Sequence, residues 1–503
     1  MEDTLSTAWA QYRGYLPNAG VAFVIGTALI CAGFVFYNIF LHPLRSFPGP
    51  LICRSTVLWR LARLWTGDLP QTITKLHKKY GPVIRISPNE LSFIESQAWK
   101  DIYGHHGTYE MAKDPKFYRM MGKHAPDTIV GADREDHSRL RRQLAHGFSE
   151  RSMRGQEPII GGYVDMLIQR LEEHSDNGRR ALDMRSWFNF ITFDIIGNLG
   201  FGSDFGCLEK SSYHPWIDAI IRNLQDLSLM RIIRELTSPH LVFVLYKIGM
   251  MKGRKKHMSY ASDMVRKRME LEIERPDFIE GLLKSKEVTD KEVFTNAPVL
   301  IFAGSETTAT LLCGAVYSLG SNPEVLAKLN HEVRSAFQSE DEITLMTVNR
   351  LSYMLACIDE SLRHYPPVAV GLPRLVPKGG HTIAGKWVPE NASVSVTQLA
   401  ANMSEMNFTK PNEFHPERFL GDEEFAKDDL AAMQPFSVGP RNCIGKNLTY
   451  AETRLILARI LFKFDIELAP SAKGWIENQK CKTLWHKPEL PIYLKPRKAD
   501  LGE

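Results

Sequence analysis

The run Phe436-Ser437-Val438-Gly439-Pro440-Arg441-Asn442-Cys443-Ile444-Gly445, followed by Lys446-Asn447-Leu448-Thr449-Tyr450, constrains this 503-residue chain more than any other stretch. Glycines and a proline make its first part a loop, and the residues after Gly445 read as a helix. A cysteine delivered to the first turn of a helix meets unpaired backbone N–H groups and the positive end of the helix dipole, and both stabilise a thiolate. Cys443 is then available as an anionic metal ligand. Arg441 offers a bidentate partner for a carboxylate, Phe436 a shield for the sulfur, and Gly445 a place without a side chain where a flat group can lie close. A lone cysteine can equally be a small buried hydrophobe, which is the reading for the six others.

A second constraint sits in the apolar segment 290–319. Ala303-Gly304-Ser305-Glu306-Thr307-Thr308 places an acid and hydroxyls in the middle of a run such as Val299-Leu300-Ile301-Phe302. Groups of that kind are costly inside an apolar helix unless they face a cavity. Gly304 weakens the helix there; a threonine hydroxyl beside a local opening can hold a water, and Glu306 can relay protons. An ordinary exposed helical turn is the alternative.

Glu360 and Arg363 stand three apart on a segment that ends at Tyr365-Pro366-Pro367, a spacing that on its own denotes a surface pair of little worth. The chain repeats it at Glu272 and Arg275. What separates the first pair from the second is Pro416-Glu417-Arg418-Phe419, which offers a third charge upstream of the cysteine loop. His137 and Arg141, four apart, share a helical face, which otherwise reads as a solvated basic surface.

Taken in order, these motifs resemble the cytochrome P450 family. The cysteine loop matches Phe-x-x-Gly-x-Arg-x-Cys-x-Gly at every defined position, and residues 303–308 match Ala/Gly-Gly-x-Asp/Glu-Thr-Thr/Ser. The resemblance implies haem b with Cys443 as the axial thiolate, Phe436, Gly445 and Gly304 against the cofactor, and Arg441, Arg141, His137 and Arg374 toward its propionates. Many family members have Trp where this chain has His137. It further implies Glu306 and Thr307 as an acid–alcohol pair, and Glu360, Arg363 and Arg418 as a buried network supporting the haem loop. Members that rearrange peroxides without O₂ often lack the threonine, so Thr307 points to a monooxygenase that hydroxylates a lipophilic small molecule. The rivals are an O₂-independent haem-thiolate isomerase or dehydratase, and a haem-based sensor. The implied partner is an NADPH-cytochrome P450 reductase, for which Arg139, Arg142 and Lys446 are candidate docking cations. Leu41-His42-Pro43-Leu44-Arg45, Phe47-Pro48-Gly49-Pro50 and Trp485-His486-Lys487-Pro488 look like fungal secondary-metabolism members, which suggests a terpenoid or polyketide intermediate.

The remaining organisation is set by hydropathy and charge. Residues 21–41 carry no charge and would span roughly 30 Å as a helix, the thickness of a bilayer core. That gives an N-terminal segment 1–20, a transmembrane anchor 21–41, a proline-rich hinge 42–50 and a catalytic domain 51–503. Glu2 and Asp3 precede the span and Arg45, Arg54 and Arg60 come after it, which places the domain in the cytosol as a single-pass protein of the endoplasmic reticulum membrane. The sequons at Asn391, Asn402, Asn407 and Asn447 would then go unused. A formal charge of +4 from 62 basic and 58 acidic side chains argues against a nucleic-acid binder. Seven dispersed cysteines argue against a disulfide scaffold. Helical patterns at 135–148, 157–173, 186–199, 290–319, 324–337, 351–364 and 443–462, with a hairpin at 83–94 and short strands at 384–388, 393–397 and 492–494, make the chain mainly α with minor β. Residues 241–251, apolar and trailed by Lys252, Arg254, Lys255 and Lys256, read either as a core helix or as one dipping into the membrane interface. Segments 104–131, 297–304 and 368–372 are the expected pocket walls.

Overall fold

The computed structural model describes residues 21–107, 109–119, 128–250, 252–271 and 277–497. The 1–20 segment, the Glu272 and Arg275 pair and part of 104–131 lie outside the described residues.

Helix α1 (Val21–Leu41) has a mean hydropathy of 2.1 and none of its residues is buried in the protein, so it is a candidate membrane span. Its last turn widens to a π-helix at Tyr37–Leu41. The hinge after it is docked rather than free: Leu44 and Phe47 are buried, and the Arg85 N–H donates to the Pro48 carbonyl at 2.7 Å. A Cβ on Gly49, whose φ is +155°, would lie 2.5 Å from the Arg85 carbonyl oxygen, so only glycine fits. The fully buried Arg85 guanidinium donates back to the Asn38 carbonyl in α1 and to that of Pro88.

Beyond the hinge, β1 (Val83–Ser87), β2 (Glu90–Phe93), β3 (Ala112–Lys113), β4 (Arg374–Leu375) and β5 (Ser393–Val396) form one sheet in the order β1-β2-β5-β4-β3. Only β2 and β5 run parallel. The sheet has its own apolar cluster, built on Ile84, Leu91, Phe93, Trp99 and Val394. A second sheet joins Leu182–Asp183, Pro491–Pro496 and Phe464–Leu468.

The helical part surrounds one larger core. Its helices that matter for the site are α2 (Arg134–Ala145), α3 (Met184–Phe201), α4 (Asp290–Ser321), α5 (Ser352–His364) and α6 (Lys446–Lys463). Helix α4 starts with a capping box, the Thr289 side chain accepting from the Glu292 N–H while the Glu292 carboxylate accepts from that of Thr289. It is apolar and long enough to cross a membrane, yet 67% of that stretch is buried, which makes it a core helix. It packs along α3, whose residues from Trp187 to Ile196 are all buried.

Some expectations change. The helix expected over 157–173 begins at Glu150, where the Ser149 side chain caps the Ser152 N–H, and it carries Pro158 inside it. The helices Pro215–Leu236 and Lys252–Glu270 carried no clear period in the sequence; the latter buries Gly253, His257, Ala261, Val265 and Arg268, three or four residues apart and mostly small or polar. Residues 241–250 are not a core helix: Val242 of the helix Pro239–Lys247 is buried, whereas Leu241 and Val244 in it, and Ile248 and Met250 after it, are exposed. Two sequons are closed in the folded chain wherever it resides, because Asn402 and Asn407 are buried and spend their side-chain N–H groups on the carbonyls of Arg363, Ile94 and Ala401.

Candidate active site

Cys443 is held by backbone geometry that its neighbours dictate. Its N–H donates to the Phe436 carbonyl at 2.8 Å, closing the loop on itself. Ser437 and Gly439 both sit at positive φ, 59° and 73°. At Gly439 this is compulsory, since a Cβ would stand 2.0 Å from the Tyr103 carbonyl oxygen. Gly439→Ala is therefore expected to displace the loop from Tyr103 and cut haem occupancy several-fold while the far-UV circular dichroism stays helical, measured as the Soret-to-protein absorbance ratio.

The helix begins at Lys446 with Gly445 as its cap, so Cys443 stands before the first turn rather than in it. The dipole argument is replaced by a local one. Burial holds the Cys443 thiol above the ordinary thiol range, and the Gly445 N–H first, then Arg141 and Lys446, offset part of that rise. The residue is exposed, whereas Cys53, Cys207, Cys313, Cys357 and Cys481 are buried. A Cβ on Gly445 would lie 4.0 Å from the Cys443 sulfur. The Phe436 ring packs against Tyr450 at 5.3 Å, and Tyr450 donates to Asp359 of α5 at 2.6 Å.

The expected propionate partners converge, with differences. Arg141 does not point freely: its guanidinium forks onto the Asn442 carbonyl and side-chain oxygens, both at 2.6 Å, bracing the cysteine loop. Arg374 and Arg441 both reach one carboxylate, Glu110 Oε1, at 3.0 and 2.7 Å. Lys113, opposite Arg374 in the β3–β4 pair, completes the cluster. Burial and then the charges of Arg374 and Arg441 lower the Lys113 ammonium to about 6. Burial and the same cations take the nearby His137 down to about 3, so this residue is a neutral imidazole. Glu110 and Lys113 escaped the sequence reading because β3 is two residues long and shows no pattern. Arg139 is no docking cation, being spent on Glu292 at 2.5 Å and Asp136 at 2.7 Å.

The charge network is completely enclosed. Arg363 uses all five N–H groups: Nε and Nη2 grip Glu360 at 2.7 Å each, and Nη1 and Nη2 also serve the carbonyls of Asn402, Pro411 and Glu413. Arg418 donates to Glu360 at 3.0 Å and pairs with Asp428, a fourth member that no sequence spacing marked. These four side chains are 0 to 1% exposed.

On α4 the helix runs unbroken, so no opening lies beside Thr307, whose hydroxyl donates to the Ala303 carbonyl at 2.6 Å. At Gly304 a Cβ would meet Ile196 of α3 at 2.4 Å, so the glycine permits close helix packing. Glu306 is not a free acid either, since Lys487 Nζ lies 2.5 Å from its Oε1. Ala303 is exposed and Thr307 half-buried at mid-length of a helix that is otherwise core, which marks this face as a cavity wall.

These residues fit a haem. An accessible sulfur flanked by a glycine, and Arg374 and Arg441 meeting on the carboxylate of Glu110 with Lys113 and His137 close by, suit a flat, dianionic group bound through a metal. The comparison with known proteins agrees. The cytochrome P450 family model matches residues 47–495. The chain is 47% identical over 486 residues to the cytochrome P450 monooxygenase tpeC of Talaromyces stipitatus, covering 95% of this chain and 94% of the relative. It is 45% identical over 483 residues to cytochrome P450 monooxygenase 1 of Neocamarosporium betae, covering 96% and 99%. It is 45% identical over 473 residues to the trichothecene C-15 hydroxylase of Fusarium sporotrichioides, covering 92% and 95%.

Proposed function

The chain belongs to the cytochrome P450 family and is a P450 monooxygenase, and on that premise we propose that it hydroxylates an unactivated carbon of a lipophilic terpenoid or polyketide intermediate of secondary metabolism. Electrons come from NADPH through a membrane-bound NADPH-cytochrome P450 reductase, and α1 anchors the chain in the endoplasmic reticulum membrane with its domain in the cytosol. The observation that carries the reading is the accessible Cys443 sulfur, presented by the Phe436–Gly445 loop that closes on itself through the Cys443 N–H. The trichothecene relative is named for hydroxylation at C-15, which supports hydroxylation as the reaction type.

Haem b, when bound, supplies activation of O₂ and transfer of one oxygen atom to a C–H bond. Cys443 would ligate its iron, and Arg374, Arg441, Lys113 and His137 would hold its propionates. Arg141 keeps the cysteine loop in place through Asn442. Ala303 and Val370 would line the substrate pocket, whose apolar walls select shape. Thr307 turns its hydroxyl from the Ala303 carbonyl to hold a water, and Glu306 moves protons toward it.

Metabolites compared between cells with and without the chain identify the product, and ¹⁸O₂ then labels it. Unlabelled product would favour an isomerase or dehydratase, and no NADPH consumption a sensor. Thr307→Ala should retain the haem but lower coupled product formation by about ten-fold or more, with hydrogen peroxide released instead, as expected when a positioned proton donor is lost. Unchanged coupling would remove Thr307 from the mechanism.

A further inference from the structure

Arg231, on the helix Pro215–Leu236, is a buried cation without a counter-charge. The residue is 7% exposed, its Nε has no hydrogen-bond partner, and among the described residues no carboxylate pairs with it. The guanidinium lies over the Phe117 ring, 3.8 Å from its centroid. A ring face attracts a cation but accepts none of the N–H groups that point along the guanidinium plane. Burial first, then the charge of Arg60, lower Arg231 to about 10, which leaves it ionised at neutral pH. An unpaired buried ion is expensive, and an apolar side chain would pack here as well, so the charge asks for another purpose.

The acids of this region are committed to other cations. Glu90 of β2 takes Arg60 at 2.9 Å, and Glu235, one turn beyond Arg231, takes Arg60 at 3.4 Å and Lys116 at 3.2 Å. Arg231 borders a cavity of about 40 Å³ whose charged lining residues are Arg60, Arg231, Lys482 and Glu90, three cations to one carboxylate. At about 30 Å³ for each water, that is room for a single carboxylate and too little for a substrate skeleton. Val370 and Gly371 form part of the same lining, and they belong to the stretch 368–372 expected to wall the substrate pocket. Tyr118, next to Phe117 in the chain, ties Arg231 to the haem cluster: burial raises its phenol, and Arg374 and Arg231 offset part of that rise, so both guanidiniums lie near one ring.

We propose that Arg231 anchors the substrate: its guanidinium pairs with a carboxylate that the lipophilic skeleton carries away from the carbon to be hydroxylated, so the substrate class is a lipophilic carboxylic acid. The inference rests on the monooxygenase reading and narrows it. A planar fork matches a carboxylate with two parallel N–H···O bonds, and the Phe117 ring braces that fork from one face. The bound acid supplies the missing counter-charge, so its affinity gains the penalty that the unpaired cation imposes on the fold. A neutral skeleton of the same shape leaves that penalty in place, which is how the site rejects it. The carboxylate itself is not oxidised; it fixes which carbon is presented.

The test uses the full-length holoprotein in membranes. Dodecanoic acid and methyl dodecanoate are each titrated against the Soret band; the acid should bind about ten-fold or more tightly than its ester, and Arg231→Gln should erase that preference while Arg231→Lys keeps part of it. The compound that accumulates in cells lacking the chain should be an acid. Arg231→Gln should raise its KM about thirty-fold, the roughly 2 kcal/mol that a hydrogen bond to a charged group contributes, with kcat changed by less than about two-fold. Equal affinity of the wild type for acid and ester would overturn the proposal, as would a neutral accumulated compound. Loss of haem from a folded Arg231→Gln would overturn it too, by giving the cation to the cofactor. If the glutamine variant fails to assemble, the wild-type comparison and the accumulated compound decide. A wild-type protein whose reduced carbon monoxide spectrum lacks the thiolate band would instead sink the monooxygenase reading itself.

Discussion

Cys443→Ser should abolish the thiolate band of the reduced carbon monoxide spectrum and lower product formation by roughly three orders of magnitude, about 4 kcal/mol in the barrier. A serine hydroxyl keeps the shape of the loop and its hydrogen bond from the backbone to Phe436. It does not keep the anion. The Gly445 N–H, Arg141 and Lys446 are arranged to favour a thiolate, and an alcohol at the same place ionises far outside their reach. Thiolate ligation is also what pushes electron density toward O–O cleavage in this family. Circular dichroism identical to wild type, together with retained hydroxylation, would refute the assignment of Cys443.

The second large effect concerns assembly rather than chemistry. Arg363→Ala leaves Glu360 ionised and half-paired in a fully enclosed site, a loss of about 3–5 kcal/mol, and strips the carbonyls of Pro411 and Glu413 of their donors as well. Against a total stability of about 5–15 kcal/mol, most of the chain should fail to accumulate as soluble holoprotein. Arg363→Lys should do little better: three ammonium protons cannot replace five guanidinium N–H groups in a fixed fork. Thermal unfolding and haem content would read both variants. A lysine variant as stable as wild type would show that the carbonyl contacts contribute nothing.

The parts of this site that the sequence disclosed are those written in contiguous residues. The cysteine loop could be read because Gly439, Arg441, Cys443 and Gly445 stand within seven positions, and each has a side-chain reason to be there. Glu360, Arg363 and Arg418 could be read because the family resemblance joins a helical spacing to a proline-marked turn. Asp428 closes the same network from a loop with no period, and Glu110 and Lys113 become neighbours of the arginines only through a two-residue strand. Lys487 meets Glu306 through tertiary packing alone. Gly304 adds something the motif did not tell: a Cβ there would meet Ile196 on α3, so close helix packing also requires the glycine. Among the helices, Lys252–Glu270 hid its inward face because glycine, histidine and arginine occupy it. Periodic reading needs large apolar residues, and where small or polar ones are buried it has no signal.

The docked hinge bears on how α1 is held to the catalytic body. With Arg85 bonded to Asn38, and Arg54 donating to the carbonyls of Ile39 and Arg45, the leash has no slack where the apolar helix ends. Rotation of α1 is thereby transmitted to the catalytic body as to a lever on a shaft. A cut made after residue 41 removes more than a greasy tail, because it takes away an oxygen that a sequestered guanidinium relies on.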